Sequence, residues 1–278
     1  MGRIMDRKKA EFCWYQNGKV EYGAFAEWKK RFRIIHGFST RNGGVSEGCY
    51  RSMNLGFASG DDESLVWKNF GLFSEALGIK CRDLVLSDQN HQTEIRVVSE
   101  QDRGGGIIVP KKFEGIDGLI TNVPGIPLVT FHADCTPLFF VDPVKGAIGM
   151  AHAGWRGALA GMASKMIRRM HEVYGSEATH IQAGFGPAIG DCCFLIREDV
   201  YDQVKMLPEY ATKLKQVNDQ QWSLSLESVH EHFLQIEGVP AKNIWKSGIC
   251  TCCESDRLFS HRKMGDKRGN LAAVIQLY

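Results

Sequence analysis

FHADCTPLFFVDPVKGAIGMAHAGWRG, residues 131–157, holds two apolar runs rich in strand formers, 137–141 and 147–151, separated by Asp142, Pro143, Val144, Lys145 and Gly146. Two such runs around a Pro- and Gly-containing break form a hairpin. With the turn centred between Pro143 and Val144, Asp142 faces Lys145, Phe140 faces Ala147, and Cys135 faces His152. Directly opposed residues point to one side of a sheet with Cβ atoms roughly 4.5–5.5 Å apart. A thiolate and an imidazole at that spacing can share an ion, because Zn–S and Zn–N bonds are about 2.3 and 2.0 Å long. They can equally form a Cys–His catalytic dyad. They can also be two packed side chains at strand ends, where free cysteine is common.

His152 is followed by Ala153, Gly154, Trp155, Arg156 and Gly157, and then by Leu159, Met162, Met166, Ile167, Met170 and Val173. Apolar residues at three- and four-residue steps predict a helix, and Gly175 supplies its stop. The expected strand–turn–helix leaves free backbone N–H groups and the positive end of a helix dipole beside His152, with the Arg156 guanidinium added. An anion, most simply phosphate, fits there. A tight connection with a solvated arginine explains the same glycines.

At 278 residues and 44% apolar the chain can build a sizeable core. No Pro- or Ser-rich linker divides it, so 1–278 is expected to be a single domain. A formal charge of +2 with scattered basic residues argues against a nucleic-acid surface or a membrane anchor and leaves a small-molecule substrate. Residues 1–10 are charged and lack an apolar signal segment, and Asp6 stands where myristoylation wants Ser or Thr. No later stretch is long enough to cross a bilayer, so a cytoplasmic protein is expected. Nine cysteines, an odd number, then read as reduced thiols. Cys192 and Cys193, and Cys250, Cys252 and Cys253, are dense clusters but do not give two spaced C-x-x-C pairs, so no structural zinc knuckle is expected.

Residues 12–25 alternate loosely and predict opening strands around an Asn17–Gly18 turn. Asp61 and Asp62 are placed to cap a helix with Leu65, Val66, Phe70, Phe73 and Leu77 on one side and Gly78 at its end. Strands are expected at 84–86, 95–98, 127–131, 181–185, 244–249 and 271–277, and helices at 198–207 and 225–236. In the last helix Leu226, Val229, Phe233 and Ile236 form the apolar stripe, while His230 and His232 diverge and make a poor ligand pair. DQNHQT, residues 88–93, puts His91 in a polar strand-to-strand connection. Glycine-rich loops at 36–46, beside Arg41 and Asn54, and at 184–190 can let main chain approach a ligand. Interleaved strands and helices with a tight hairpin predict an α+β fold with a mixed sheet and outer helices.

HGFSTRNGGVS (36–46), NLG (54–56), QNH (89–91), ADC (133–135) with Pro137, AHAGWRG (151–157), GPAIG (186–190) and FSHR (259–262) together resemble the laccase-domain family, also called multicopper polyphenol oxidases. Its members are described as purine nucleoside phosphorylases with adenosine deaminase activity and as peptidoglycan editing factors. The resemblance implies a mixed β-sheet sandwich flanked by helices, with a cysteine-hydrolase-like architecture. It also implies a metal site of His91, Cys135 and His152. Three protein ligands leave a fourth position open, the pattern of a catalytic zinc. Copper can take the same ligands. The chain departs from the family pattern at Asn90, Gln92, Thr136 and 267–269, none of them a ligand in that set.

The activity so implied is metal-dependent phosphorolysis of adenosine, inosine or methylthioadenosine to free base and ribose 1-phosphate, with deamination of adenosine in the same pocket. Cys135 and His152 are the expected catalytic pair. Asp134 is expected as a base or an orienting group, although neighbours on a strand face apart. Arg156, with Arg41, Asn54 and Arg262, is expected to hold nucleoside and phosphate. Two alternatives are a laccase-like polyphenol oxidase and a cysteine or zinc hydrolase acting in peptidoglycan precursor editing. Against the oxidase, the nine histidines include one His-x-His, formed by His230 and His232.

Overall fold

The computed structural model describes residues 12–207 and 214–278, so the expectations for residues 1–10 lie outside the described part. β1 (Phe12–Asn17) and β2 (Val20–Phe25) form the expected opening hairpin. Next come α1 (Ala26–Arg31), β3 (Ile34–Ser39) and α2 (Glu63–Leu77). α2 starts where the Asp62 side chain accepts the Ser64 N–H and stops at Gly78 in the left-handed region, as the sequence predicts. β4 (Val85–Leu86), β5 (Ile95–Val97), β6 (Gly118–Thr121), β7 (Leu128–His132), β8 (Thr136–Asp142) and β9 (Ala147–Ala153) follow. Then come α3 (Trp155–Leu159), α4 (Met162–Tyr174), β10 (Gln182–Phe185), β11 (Leu195–Ile196) and α5 (Glu198–Lys205). The chain closes with β12 (Leu214–Asn218), β13 (Gln221–Leu224), α6 (Leu226–Ile236), β14 (Ile244–Lys246), α7 (His261–Met264) and β15 (Leu271–Leu277).

The strands form a sheet of order β1-β2-β3-β15-β7-β4, a second of order β14-β10-β8-β9-β6-β5, and a small one of order β11-β13-β12. Both large sheets are mixed: β4 runs parallel to β7, β5 to β6 and β10 to β14, while the other pairs are antiparallel. Strand alternation stacks them. On β15, Leu271, Ala273 and Ile275 join Phe139 and Val141 of β8 and Ile148 and Met150 of β9 in one core between the sheets. The alternate residues Ala272 and Val274 pack outward with Phe70 and Phe73 of α2. Leu138 and Phe140 of β8 pack outward with Met162, Met166 and Met170 of α4. Each buried strand is therefore apolar on both faces, and the fold is an α+β sandwich with helices on its outer sides. No helix among the described residues is long and apolar enough to cross a membrane.

Three expectations are corrected. The β8–β9 loop holds four residues, because Asp142 Oδ1 accepts the N–H groups of Val144 and Lys145 at 2.9 and 3.1 Å and Gly146 takes a φ of 60°. The register moves by two, pairing Asp142 with Ala147 and His152 with Pro137 rather than with Cys135. A shift of two keeps every side chain on its face. The single helix expected after His152 is broken at Gly161, whose φ of 75° ends one helix and starts the next. On α6, Ile236 is 60% exposed and fully buried His230 takes part of the predicted stripe instead.

His36 and His230 give the fold a pH dependence. His36 Nε2 accepts the Phe25 N–H at 3.0 Å, and neither ring nitrogen of His230 has a hydrogen-bond partner. Burial, aided at His36 by Lys29, lowers both to about 3. Between pH 6.5 and 3 the unfolded chain therefore binds protons that the folded chain refuses, and stability falls as pH falls. Each histidine is expected to contribute a slope of roughly 1 kcal/mol per pH unit between pH 6 and 5. Urea unfolding at those two pH values should show His230→Leu with a shallower loss than the wild type. Equal losses would rule the histidine out as a cause.

Candidate metal centre

Two of the three candidate ligands, Cys135 and His91, come from places where the chain changes sheet. β7 belongs to the first sheet and β8 to the second, so residues 133–135 form the corner between them. Asp134 takes this corner with a φ of 92°, a region that costs a non-glycine residue strain. Residues 87–94 make the crossing from β4 to β5 and carry His91, with a φ of 64°. His152 lies near the end of β9. The His91 and His152 nitrogens and the Cys135 sulfur all lie within 4.8 Å of one another.

Asp117 organises this meeting. Its fully buried carboxylate accepts the consecutive backbone N–H groups of Asn90, His91 and Gln92 at 3.1, 3.3 and 2.9 Å. Its Oδ1 also lies 2.8 Å from His152 Nδ1. A carboxylate only accepts, so Nδ1 carries the hydrogen and Nε2 is left to face Cys135. One buried aspartate thus sets both the backbone at His91 and the tautomer of His152. Cys135 is steadied from behind by His132, whose Nδ1 lies 3.0 Å from the Cys135 carbonyl oxygen and whose Nε2 is 2.8 Å from Thr130 Oγ1.

Burial is the largest single influence on both Cys135 and His152 and opposes their charge, but the charges and hydrogen bonds of their neighbours together outweigh it. The Cys135 thiol is lowered, with help from His91, and the His152 imidazole is raised, with help from Asp117. A lowered thiol is both a better ligand and a better nucleophile. Gly154 keeps the space open: a Cβ there would lie 2.9 Å from Cys135 Sγ and 3.2 Å from His91 Nδ1. Two imidazoles, one thiolate, a fixed tautomer and a cradle without a Cβ fit a zinc-sized ion that keeps one position free.

The three side chains line a cleft of about 540 Å³ with Phe57 and Phe131, the polar Gln89 and Asn270, and the cations Lys111 and Arg268. Lys111 is paired with Asp88. Arg268 Nη1 donates to Asn270 Oδ1 at 2.6 Å, and its buried Nε–H has no partner.

Other residues expected at the site are elsewhere. Asp134 does not face the cleft as a base. Its two carboxylate oxygens accept the Thr251 hydroxyl and the Arg262 N–H, each at 2.6 Å, so it positions the corner that carries Cys135. The Arg262 guanidinium donates to the Cys193 and Leu195 carbonyls. Arg41 donates to the carbonyls of Arg51 and Ser255. Asn54 is buried and accepts the N–H groups of Gly56 and Asn270. Arg156 is exposed, with its guanidinium 4.2 Å from the Trp155 ring. None of these four lines the cleft. Asp117 and Arg268 were missed. The signal for Asp117 was a lone acid opening an apolar strand, and for Arg268 the basic loop before β15.

Residues 35–278 match the family model described as multi-copper polyphenol oxidoreductase laccase. The chain belongs to this family. Within the laccase family, the chain is 34% identical over 244 residues to a Bacillus subtilis protein named purine nucleoside phosphorylase YlmD, covering 87% of this chain and 88% of that one. It is 30% identical over 247 residues to a protein named adenosine deaminase RL5 from an unknown prokaryotic organism, covering 87% and 94%. The crystal structure of YlmD from Geobacillus stearothermophilus superposes with a TM-score of 0.89 at 31% identity, over 96% of this chain and 99% of that one.

Proposed function

We propose that the chain is a metal-dependent purine nucleoside phosphorylase that also deaminates adenosine. The observation that carries the reading is the convergence of His91, Cys135 and His152 on a cleft with both aromatic and cationic walls. The names borne by its relatives support it. An ion held by these three residues, zinc by preference and copper as an alternative occupant, would supply Lewis acidity beside the substrate. The chain's own residues do the rest. Phe57 and Phe131 offer faces for the purine, and the guanidinium charge of Arg268 offers an anion a place. In phosphorolysis a phosphate oxygen bonds to C1′ of the ribose as the C1′–N9 bond breaks. The bond's electrons leave with the purine, which gains a proton. In deamination water adds at C6 and ammonia departs. The reading puts the protein in the cytoplasm, with nucleoside and phosphate as partners and neither nucleic acid nor membrane.

The test is to incubate zinc-loaded protein with adenosine, inosine or methylthioadenosine and phosphate, and to separate the products. Free base with ribose 1-phosphate, and inosine or hypoxanthine from adenosine, is the expected outcome. Neither product, with zinc content verified, ends the proposal. Arg268→Ala should raise the KM for phosphate by about 10- to 100-fold, the worth of a charge-assisted hydrogen bond, and change the KM for nucleoside far less. An unchanged phosphate KM would move the anion site away from Arg268.

The family's description names a polyphenol oxidase, and the ligand set disfavours that activity here. Among the described residues two groups can hold an ion, His91–Cys135–His152 and a cluster of cysteines. Neither is a histidine-rich multinuclear centre. A cysteine hydrolase has one observation in its favour, the lowered Cys135 thiol beside His152.

A further inference from the structure

Away from the cleft, Cys192, Cys193, Cys250 and Cys253 bring four sulfurs to one place, all within 4.8 Å of one another. Cys253 Sγ lies 3.6 Å from Cys192 Sγ and 3.5 Å from Cys193 Sγ. Disulfide sulfurs are about 2.05 Å apart, so these are separate thiols. In a tetrahedral unit with Zn–S bonds of about 2.3 Å, geometry sets the sulfurs about 3.8 Å apart. The cluster already has nearly that spacing.

The expectation of no zinc knuckle rested on sequence spacing, which offers a single C-x-x-C at Cys250 and Cys253. The fold supplies the second half. Ala188 bridges to Cys250, and the Thr251 N–H donates to the Ala188 carbonyl at 3.0 Å, which lays one cysteine loop against the other. Gly190 leaves room between them: a Cβ there would lie 3.2 Å from Cys192 Sγ and 3.3 Å from Cys250 Cβ. Its N–H points at Cys250 Sγ at 3.2 Å, the kind of amide–sulfur bond that steadies a metal thiolate.

We propose that Cys192, Cys193, Cys250 and Cys253 bind a zinc ion as a closed tetrathiolate site, distinct from the His91–Cys135–His152 centre. Four protein ligands leave no position open, so the ion is structural. Each thiol loses its proton as its bond to zinc forms, and binding releases four protons per ion. The clamp braces the support of the cleft. Cys193 and Leu195 offer their carbonyls to Arg262, Thr251 donates to Asp134, and Asp134 precedes Cys135 in the corner. The proposal does not depend on which reaction the cleft performs.

Elemental analysis of the full chain, purified under reducing conditions, tests it. The wild type should hold one more zinc ion per chain than the Cys192→Ser/Cys253→Ser variant, and Cys252→Ser should match the wild type. In a His91→Ala/His152→Ala background, cobalt in place of zinc should give the sulfur-to-cobalt charge-transfer band of a tetrathiolate, lost when Cys192→Ser and Cys253→Ser are added. Equal zinc content in wild type and Cys192→Ser/Cys253→Ser overturns the site. If that variant does not fold, alkylation of the wild type decides. The four thiols should stay unlabelled until a chelator is added, and immediate labelling, or a disulfide among them, overturns the proposal.

Discussion

Replacing Cys135 with serine is expected to lower nucleoside turnover by about a thousandfold or more and to release the ion held with His91 and His152, while the chain stays folded. Cys135 is the only sulfur of the three candidate ligands. A hydroxyl in its place fills nearly the same volume but does not become an anionic ligand near neutral pH. A bound ion contributes several kcal/mol of transition-state charge stabilisation, and a thousandfold corresponds to about 4 kcal/mol. The fold tolerates the change because serine can sit in the same corner under the same support from His132. Loss of activity alone would also follow if Cys135 were the nucleophile of a hydrolase. Chelation of the wild type separates the two. Activity that disappears with a chelator and returns with zinc belongs to the metal reading, whereas activity that survives the chelator and dies with a thiol alkylator belongs to the hydrolase. A Cys135→Ser protein that keeps both ion and turnover would take the chemistry away from this corner.

Much of the scaffold was legible because it obeys local rules. Asp62 and Gly78 bound α2, and β15 runs over the predicted residues. His91, Cys135 and His152 were legible as a ligand set only through family resemblance. The hairpin placed Cys135 and His152 on a common face with the register wrong by two, a shift that faces survive. What failed was what depends on distant partners. Arg41, beside a glycine-rich loop, and Arg262, in the FSHR motif, were expected to hold anions, but both hold main-chain carbonyls of remote segments. Gly161 was lost inside a continuous helical period. The four-cysteine cluster joins two segments about sixty residues apart, which no spacing rule connects.

Asp117→Asn is expected to weaken zinc binding at His91–Cys135–His152 by about 10- to 100-fold and to destabilise the fold by about 3–5 kcal/mol. The exchange is nearly isosteric, so the effects come from hydrogen bonding. The carboxylate accepts from three backbone N–H groups and from His152 Nδ1. An amide offers one accepting oxygen, and its NH₂ must face donors. Some of those donors are then buried without a partner. The Asn90–Gln92 backbone loses the anchor that holds His91 at a positive φ, and His152 loses the acceptor that keeps its hydrogen on Nδ1. A merely structural Asp117 would lower the urea midpoint and leave the zinc affinity of the folded protein unchanged. A positioning Asp117 moves both, and nitrogen NMR of His152 in the zinc-loaded protein should show the Nδ1–H tautomer in the wild type giving way to a mixture in the variant. Unchanged zinc affinity with an unchanged tautomer would reduce Asp117 to a fold-stabilising residue, and the metal centre would then owe its geometry to the sheet corners alone.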